Sequence, residues 1–387
     1  MEKLKDKKKL RVAYVGSPEL FLRGASPIHV MKMCQAIARL GIDVDLIIQS
    51  YDSKIDIFKC YGVEPIFNII TTIPSTNGPL RHFIHGTYSA FYIWFNKHEY
   101  NLVLTRNIIF TYLSTVFFGI PTIYDAHHPL VNRPAKLAFD RFKNSKYLVR
   151  FSTNSEGLGK IYAGLGLPEE KLVVAHNGVD LEQFRSVPSK LEARGKLGLL
   201  PNQKIICYSG NIYRGRGIDL LVEVSSRLRD VLFLIVGGLE SDIKVYRDMV
   251  AQKKLENFKL VGFVSHNVVP LYLFAADALV IPYTSEMTIQ GGTNATGFTS
   301  PLKLFEFMAS CRPIVATNLP SVSEILHDNI NAVVVDPNSV DSLFEGINRV
   351  LEDEALATKI ALQSAADVGR YTWEERVKKM LNGFAGF

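Results

Sequence analysis

Cysteine is scarce in this chain, long apolar runs are missing, and each scarcity removes a class of protein. The four cysteines (Cys34, Cys60, Cys207, Cys311) lie far apart, with no pair at metal-ligand or redox-motif spacing. They read as reduced thiols of a cytoplasmic protein. The longest uncharged stretch, Asn107 to Tyr124, contains Asn, Thr, Ser, Gly and Pro. It reads as a buried helix followed by a strand, not as a membrane span. The opening MEKLKDKKKLR leads into a strand without an apolar region or a cleavage-type site, so a secretory signal is not expected. No metal site is expected either, because His127-His128 come with neither His-x3-His spacing nor a carboxylate cluster. The acidic Asp43-Val44-Asp45 falls in an alternating strand and fits plain strand geometry.

Composition supplies the positive frame. At 387 residues, 47% apolar and 21% charged, the chain is that of a soluble globular protein too long for one ordinary core, and two domains are expected. Residues 1–185 carry a net charge of +7 (23 Lys and Arg against 16 Asp and Glu) and the remainder −1 (21 against 22). A basic first half suggests an anionic acceptor or membrane surface. Nucleic acid is not expected, because the basic residues are not interleaved with aromatics along a recognisable binding motif.

Apolar runs rich in Val, Ile and Leu alternate with longer amphipathic segments, which predicts parallel sheets with helices on both faces. Strands are expected near residues 10–15, 44–48, 102–105 and 122–124, and again near 205–209, 232–236, 259–261, 278–281, 314–316 and 332–335. The polar stretch 186–202 between the two sets reads as an interdomain linker. The aromatic segment HFIHGTYSAFYIWFNKHEY (82–100) leaves two readings open, a core helix or an amphipathic face touching a membrane or lipid acceptor. The basic segment 133–150, with Lys136, Arg141, Lys143 and Lys146, is either a solvated face or a membrane-docking one.

Two stretches carry chemistry. In SPLKLFEFMASCRPIVAT, Ser300 is expected to cap a helix with Pro301 at its first position, and Lys303 and Glu306 share one face of an otherwise apolar helix. They form either a surface ion pair or a ligand site, because a helix start offers free N–H groups and a positive dipole end to a phosphate. In GNIYRGRGIDLL, Gly215 and Gly217 flank Arg216 at another helix start, with Arg214 beside it, so N–H groups and guanidinium groups can converge on an anion. A carboxylate such as Glu306 suits a ribose diol.

These stretches, with RGASPIHV, IYDAH, NSEGL…HNGVDLEQF, LVGFVSHNVVPLYLFAADALVIP and YTWEERV, occur in an order that resembles the retaining glycosyltransferases of glycosyltransferase family 4. The resemblance implies an α/β protein of two Rossmann-like doubly wound domains facing a central cleft, the GT-B fold. It places an acceptor-binding domain at 1–185, a nucleotide-sugar-binding domain at 186–370 and a C-terminal helix at 371–387 packing back on the first domain. It also implies transfer of a sugar, with retention, from a UDP- or GDP-linked donor to a glycan or lipid-linked acceptor, without cofactor or metal. Such an enzyme would be cytoplasmic or peripheral on the cytoplasmic face of a membrane. A nucleotide-sugar epimerase or hydrolase of the same fold, and a non-catalytic nucleotide-sugar-binding subunit, stay open as alternatives.

Residue by residue, the resemblance implies that Arg216 and Lys303 neutralise the donor diphosphate and that His127 positions the transferred sugar. Glu306 would hold the ribose. Gly16 and Gly24 would line the cleft, and Gly210, Asn211, Arg214 and Gly215 would form the donor-side turn. Ser300, Pro301 and Leu302 would face the distal phosphate. Three departures stand out. The first glutamate of the family's pair falls at Phe298; the turn's frequent first arginine is Asn211; and the customary helix-ending glycine is Cys311, where a left-handed residue is therefore not expected.

Overall fold

The strands form where the sequence is continuously apolar, as parallel strands buried on both faces require. The computed structural model describes residues 10–16, 25–52, 54–73, 80–185, 188–288 and 294–384. They divide into two compact units, residues 1–176 with 373–387, and residues 177–372.

The first unit holds a seven-stranded sheet of β1 (Arg11–Val15), β2 (Asp43–Ile48), β3 (Asn68–Thr71), β4 (Leu102–Thr105), β5 (Thr122–Ala126), β6 (Leu148–Thr153) and β7 (Leu172–Val174), in the order 3-2-1-4-5-6-7. Every pairing is parallel. The strand order reverses between β1 and β4, the switch point outside whose carboxyl ends open α/β sheets bind ligands. Asp45, in the acidic pair of β2, is consumed structurally: it accepts from Arg11 at 2.7 Å, Tyr100 at 2.9 Å and Asn68 at 3.0 Å. The last helix, Trp373–Leu381, packs against the helix Ala25–Arg39 of this unit.

The second unit holds a six-stranded parallel sheet of β8 (Lys204–Ser209), β9 (Val231–Val236), β10 (Phe258–Gly262), β11 (Ala278–Ile281), β12 (Ile314–Thr317) and β13 (Val333–Val335), in the order 10-9-8-11-12-13. Its switch point lies between β8 and β11.

One sequence expectation is corrected. The polar stretch 186–202 is no open linker: Lys190–Leu197 is a helix, started by a capping box in which Ser189 and Glu192 satisfy each other's backbone N–H. Its buried Arg194 donates to the Ala275 carbonyl at 2.9 Å and to Asp277 at 2.7 Å. The compact units divide at 176/177, with Asn177 and Val179 bound into the second unit through Ser300 and Thr372.

Candidate functional site

In the second unit the chain leaves β8 at Gly210 and turns through 211–217 into the helix Ile218–Arg227. This turn meets the segment that follows β11, because Thr284 N–H bonds the Gly215 carbonyl at 3.1 Å. Gly217, at φ +72°, caps the helix, and any side chain there would run into the Pro282 carbonyl. The sequence spacing thus puts Arg216 at the switch point.

Arg216 is almost fully buried between the rings of Tyr213 and Tyr283, its guanidinium carbon 4.6 and 4.8 Å from their centroids. It donates to the Tyr213 hydroxyl and to the Met287 sulfur, while its Nε has no partner among the described residues. Burial opposes its charge but the surrounding tyrosines prevail, and its pKa is raised.

Lys303 comes from the helix Leu302–Ala309. Its Nζ lies 3.6 Å from the Tyr208 ring centroid and 5.4 Å from that of Tyr283, with no hydrogen-bond partner among the described residues. A Cβ added to Gly210 would sit 2.6 Å from this Nζ. Burial, and then the nearby Arg216 charge, push the lysine pKa well below its ordinary value. Two covered cationic groups therefore share a lining of tyrosines with no carboxylate of the described residues bonded to either, an arrangement that an incoming anion would complete.

Glu306 does not pair with Lys303. One turn along the same helix, its Oε1 accepts from His266 Nε2 at 2.7 Å, and both side chains stay partly exposed. His266 was not singled out from the sequence; its position just beyond β10, itself at a strand's carboxyl end, was the available signal. Arg214 points outward, 91% exposed, and meets Glu286 at 3.4 Å. Asn211 contributes its backbone carbonyl to the Tyr208 hydroxyl. Phe298 is buried, so the place of the missing glutamate is filled by core packing.

The helix start differs from expectation. Pro301 is the N-cap, without a side-chain cap. Ser300 Oγ instead accepts from the Asn177 backbone N–H at 3.0 Å, and the Ser300 carbonyl accepts from Asn177 Nδ2 at 2.6 Å. The HNGVD turn thereby fixes the chain entering Leu302, while Pro301 supplies no side-chain cap to the first helical N–H groups. Cys311 is left-handed after all, at φ +53°: it closes the helix as a glycine would.

In the first unit His127 follows β5. Its Nε2 lies 3.0 Å from Asp125 Oδ2 and its Nδ1 3.4 Å from Asn154 Nδ2. Asp125 is held on its other oxygen by the buried Arg376 at 2.5 Å, and His29 Nε2 lies 3.7 Å from Asp125. Burial, followed by the Arg106 charge, lowers the His127 pKa to about 3. The imidazole is therefore neutral, donating from Nε2 to Asp125 and accepting at Nδ1 from Asn154. One carboxylate stands beside this histidine: ligand atoms of His29, Asp125 and His127 all lie within 4.8 Å of one another. Arg376 already satisfies the carboxylate and puts a fixed positive charge next to the group, which disfavours a cation. Gly16 follows β1 and bonds the Ile47 carbonyl at 3.1 Å; Gly24 lies outside the described residues. The predicted residues thus form two groups, one per unit.

Comparison with known proteins fits this geometry. The family model "Glycosyl transferases group 1" matches residues 189–366, and "Glycosyltransferase Family 4" matches residues 27–183. An uncharacterised glycosyltransferase of Methanocaldococcus jannaschii is 26% identical over 93% of this chain and 93% of its own length. The alpha-D-kanosaminyltransferase of Streptomyces kanamyceticus is 23% identical over 48% of this chain, which spans 46% of that enzyme. Among solved structures, a glycosyltransferase from Rickettsia africae superposes with a TM-score of 0.77 at 18% identity, over 97% of this chain and 100% of its own. HepE of Anabaena in complex with UDP superposes with 0.76 at 15% identity over the same shares.

Proposed function

Starting from the chain's membership of the family 4 glycosyltransferases, with two Rossmann-like units of the GT-B fold, we propose that it transfers a hexosyl group, with retention, from a UDP- or GDP-linked sugar to a glycan or lipid-linked acceptor in polysaccharide or glycoconjugate synthesis. The observation that carries this reading is the covered Arg216 and Lys303 pair in its tyrosine lining, with no carboxylate of the described residues bonded to either. HepE, crystallised with UDP and with UDP-glucose, supports the choice of donor class.

In this reading Arg216, Lys303 and the first helical N–H groups beyond Pro301 gather the donor diphosphate, and Glu306 receives the ribose hydroxyls once His266 yields or shares it. As the anomeric C–O bond breaks, charge grows on the departing diphosphate, where the fixed cations stabilise it without a metal. The acceptor oxygen bonds the anomeric carbon on the face the diphosphate leaves, and its proton passes to the leaving phosphate. His127, held by Asp125 and Asn154, positions the sugar. The four cysteines are all free, which suits the reducing cytoplasm.

The test is a mass-spectrometric screen of UDP- and GDP-sugars for binding and slow hydrolysis, followed by calorimetry. Arg216→Ala should weaken nucleoside diphosphates about ten- to a hundredfold and leave nucleosides nearly unchanged, the value of one charge-assisted contact. Glu306→Ala should weaken both equally. Equal losses from Arg216→Ala, or unchanged affinity after Glu306→Ala, would remove the assignment, and dependence on a chelatable metal would remove the proposed mechanism.

A further inference from the structure

The helix Arg81–Phe95 is built inside out. Its buried side is His85, Gly86, Ser89, Ala90 and Ile93, mostly small or polar, whereas Phe83, Ile84, Tyr88, Phe91, Trp94 and Phe95 face outward. An amphipathic helix serving only the core shows the opposite pattern. The helix gives Ala90 and Ile93 to the core and leaves its larger aromatic side chains outside it.

The outward face extends onto the neighbouring helical stretch 108–118, where Phe118 stacks on Trp94 at 5.3 Å and Phe117 is 62% exposed. That stretch in turn packs against the helix Arg133–Phe142, which presents Arg133, Lys136, Leu137, Asp140 and Arg141 to solvent. Between Glu64 and Asp125 the chain contains a single acid, Glu99. A contiguous aromatic face this large marks an interaction surface. Its mixture of Trp, Tyr and Phe, bordered by cations and nearly free of acids, matches the interfacial zone of a bilayer with anionic headgroups.

We propose that this face docks the protein on a membrane surface by inserting the aromatic side chains of the helix Arg81–Phe95 and Phe117 among the lipid headgroups, with the basic helix Arg133–Phe142 beside it adding electrostatic attraction. No helix among the described residues is long and apolar enough to cross a membrane, so the contact is peripheral. The surface does not depend on the donor reading of the second unit.

The chain offers its own reporter. It has two tryptophans, Trp94 on this face and Trp373 buried, so quenching by brominated lipid reports Trp94. The experiment is co-sedimentation of the full chain with vesicles of phosphatidylcholine, alone or with anionic phosphatidylglycerol. Binding should occur to both, more strongly to the anionic set, survive about 0.5 M salt in part, and be accompanied by quenching. The variant Phe83→Ser, Phe95→Ser, Phe117→Ser removes side chains 55%, 70% and 62% exposed. It should keep the circular dichroism of the parent and bind at least about tenfold less; Phe95→Ser alone, at the helix end, should give a smaller loss in the same direction. No binding by the parent, binding to anionic vesicles that vanishes entirely with salt, or equal binding by the variants would overturn the proposal. So would a concentration-dependent dimer that the triple substitution abolishes, which would assign the face to a second copy.

Discussion

Lys303 has an amine with no acceptor among the described residues, and burial, followed by the neighbouring Arg216 charge, holds its pKa down. A diphosphate bound there would reverse the balance, because two negative charges favour the ammonium form. Between the lowered pKa and the ordinary one, binding must therefore take up a proton, and affinity must fall as pH rises. Calorimetry with UDP at several pH values, in two buffers of different ionisation enthalpy, should show net proton uptake on binding. Lys303→Arg, always charged, should bind UDP without it. Buffer-independent heats in the parent would sink this account while leaving UDP binding itself intact. Arg216, Lys303 and Glu306 were legible in the sequence because their spacing on a glycine turn and a helix is local. The lining of Tyr208, Tyr213 and Tyr283, and His266 on Glu306, were not, because they converge from three different strand ends and only the sheet order brings them together.

At the scale of elements, the strands were legible because parallel burial leaves long apolar runs. The helix Lys190–Leu197 was not: KLEARGKL offers no apolar stripe, and it buries only Ala193 and Arg194. What holds it is Arg194 reaching residues some eighty positions along the chain, a contact no local pattern encodes. The same limit applies to Ser300, whose expected cap lost to Asn177 of a distant turn. The glycine turn is the element on which the site rests. Gly217→Ala would press a methyl group into the Pro282 carbonyl and force an L residue to φ +72°. The expected cost is about 2–4 kcal/mol, with UDP affinity lost alongside as Arg216 moves. A control, Gly195→Ala, meets open space in a helix interior and should be neutral to stabilising by about 0.5–1 kcal/mol. Equal melting temperatures for the two variants would refute the close-approach argument.

On the scale of the whole molecule, the buried histidines are unevenly divided. His29 and His85 are buried in the first unit and the His127 side chain there is 8% exposed, and burial lowers each pKa, His85 to about 4 and His127 to about 3. Among the described residues of the second unit, His266 is partly exposed and His327 exposed. Each buried imidazole is neutral when folded and takes a proton near pH 6.5 when unfolded, so the unfolded chain binds more protons between that pH and the folded value. Stability then rises with pH across this window and is lost as pH falls, by up to about 1.4 kcal/mol per pH unit for each histidine. Asp125, held ionised largely by Arg376, adds a loss of the same sign at still lower pH. The first unit should therefore yield to acid before the second. Both tryptophans, Trp94 and Trp373, belong to it, so tryptophan fluorescence follows the first unit while far-ultraviolet circular dichroism follows the whole chain. Between pH 7 and pH 5 the fluorescence midpoint of urea unfolding should fall faster than the dichroism midpoint, and His127→Gln should narrow the gap by about one histidine's share. Two midpoints falling in parallel would mean that the buried imidazoles do not govern the acid response.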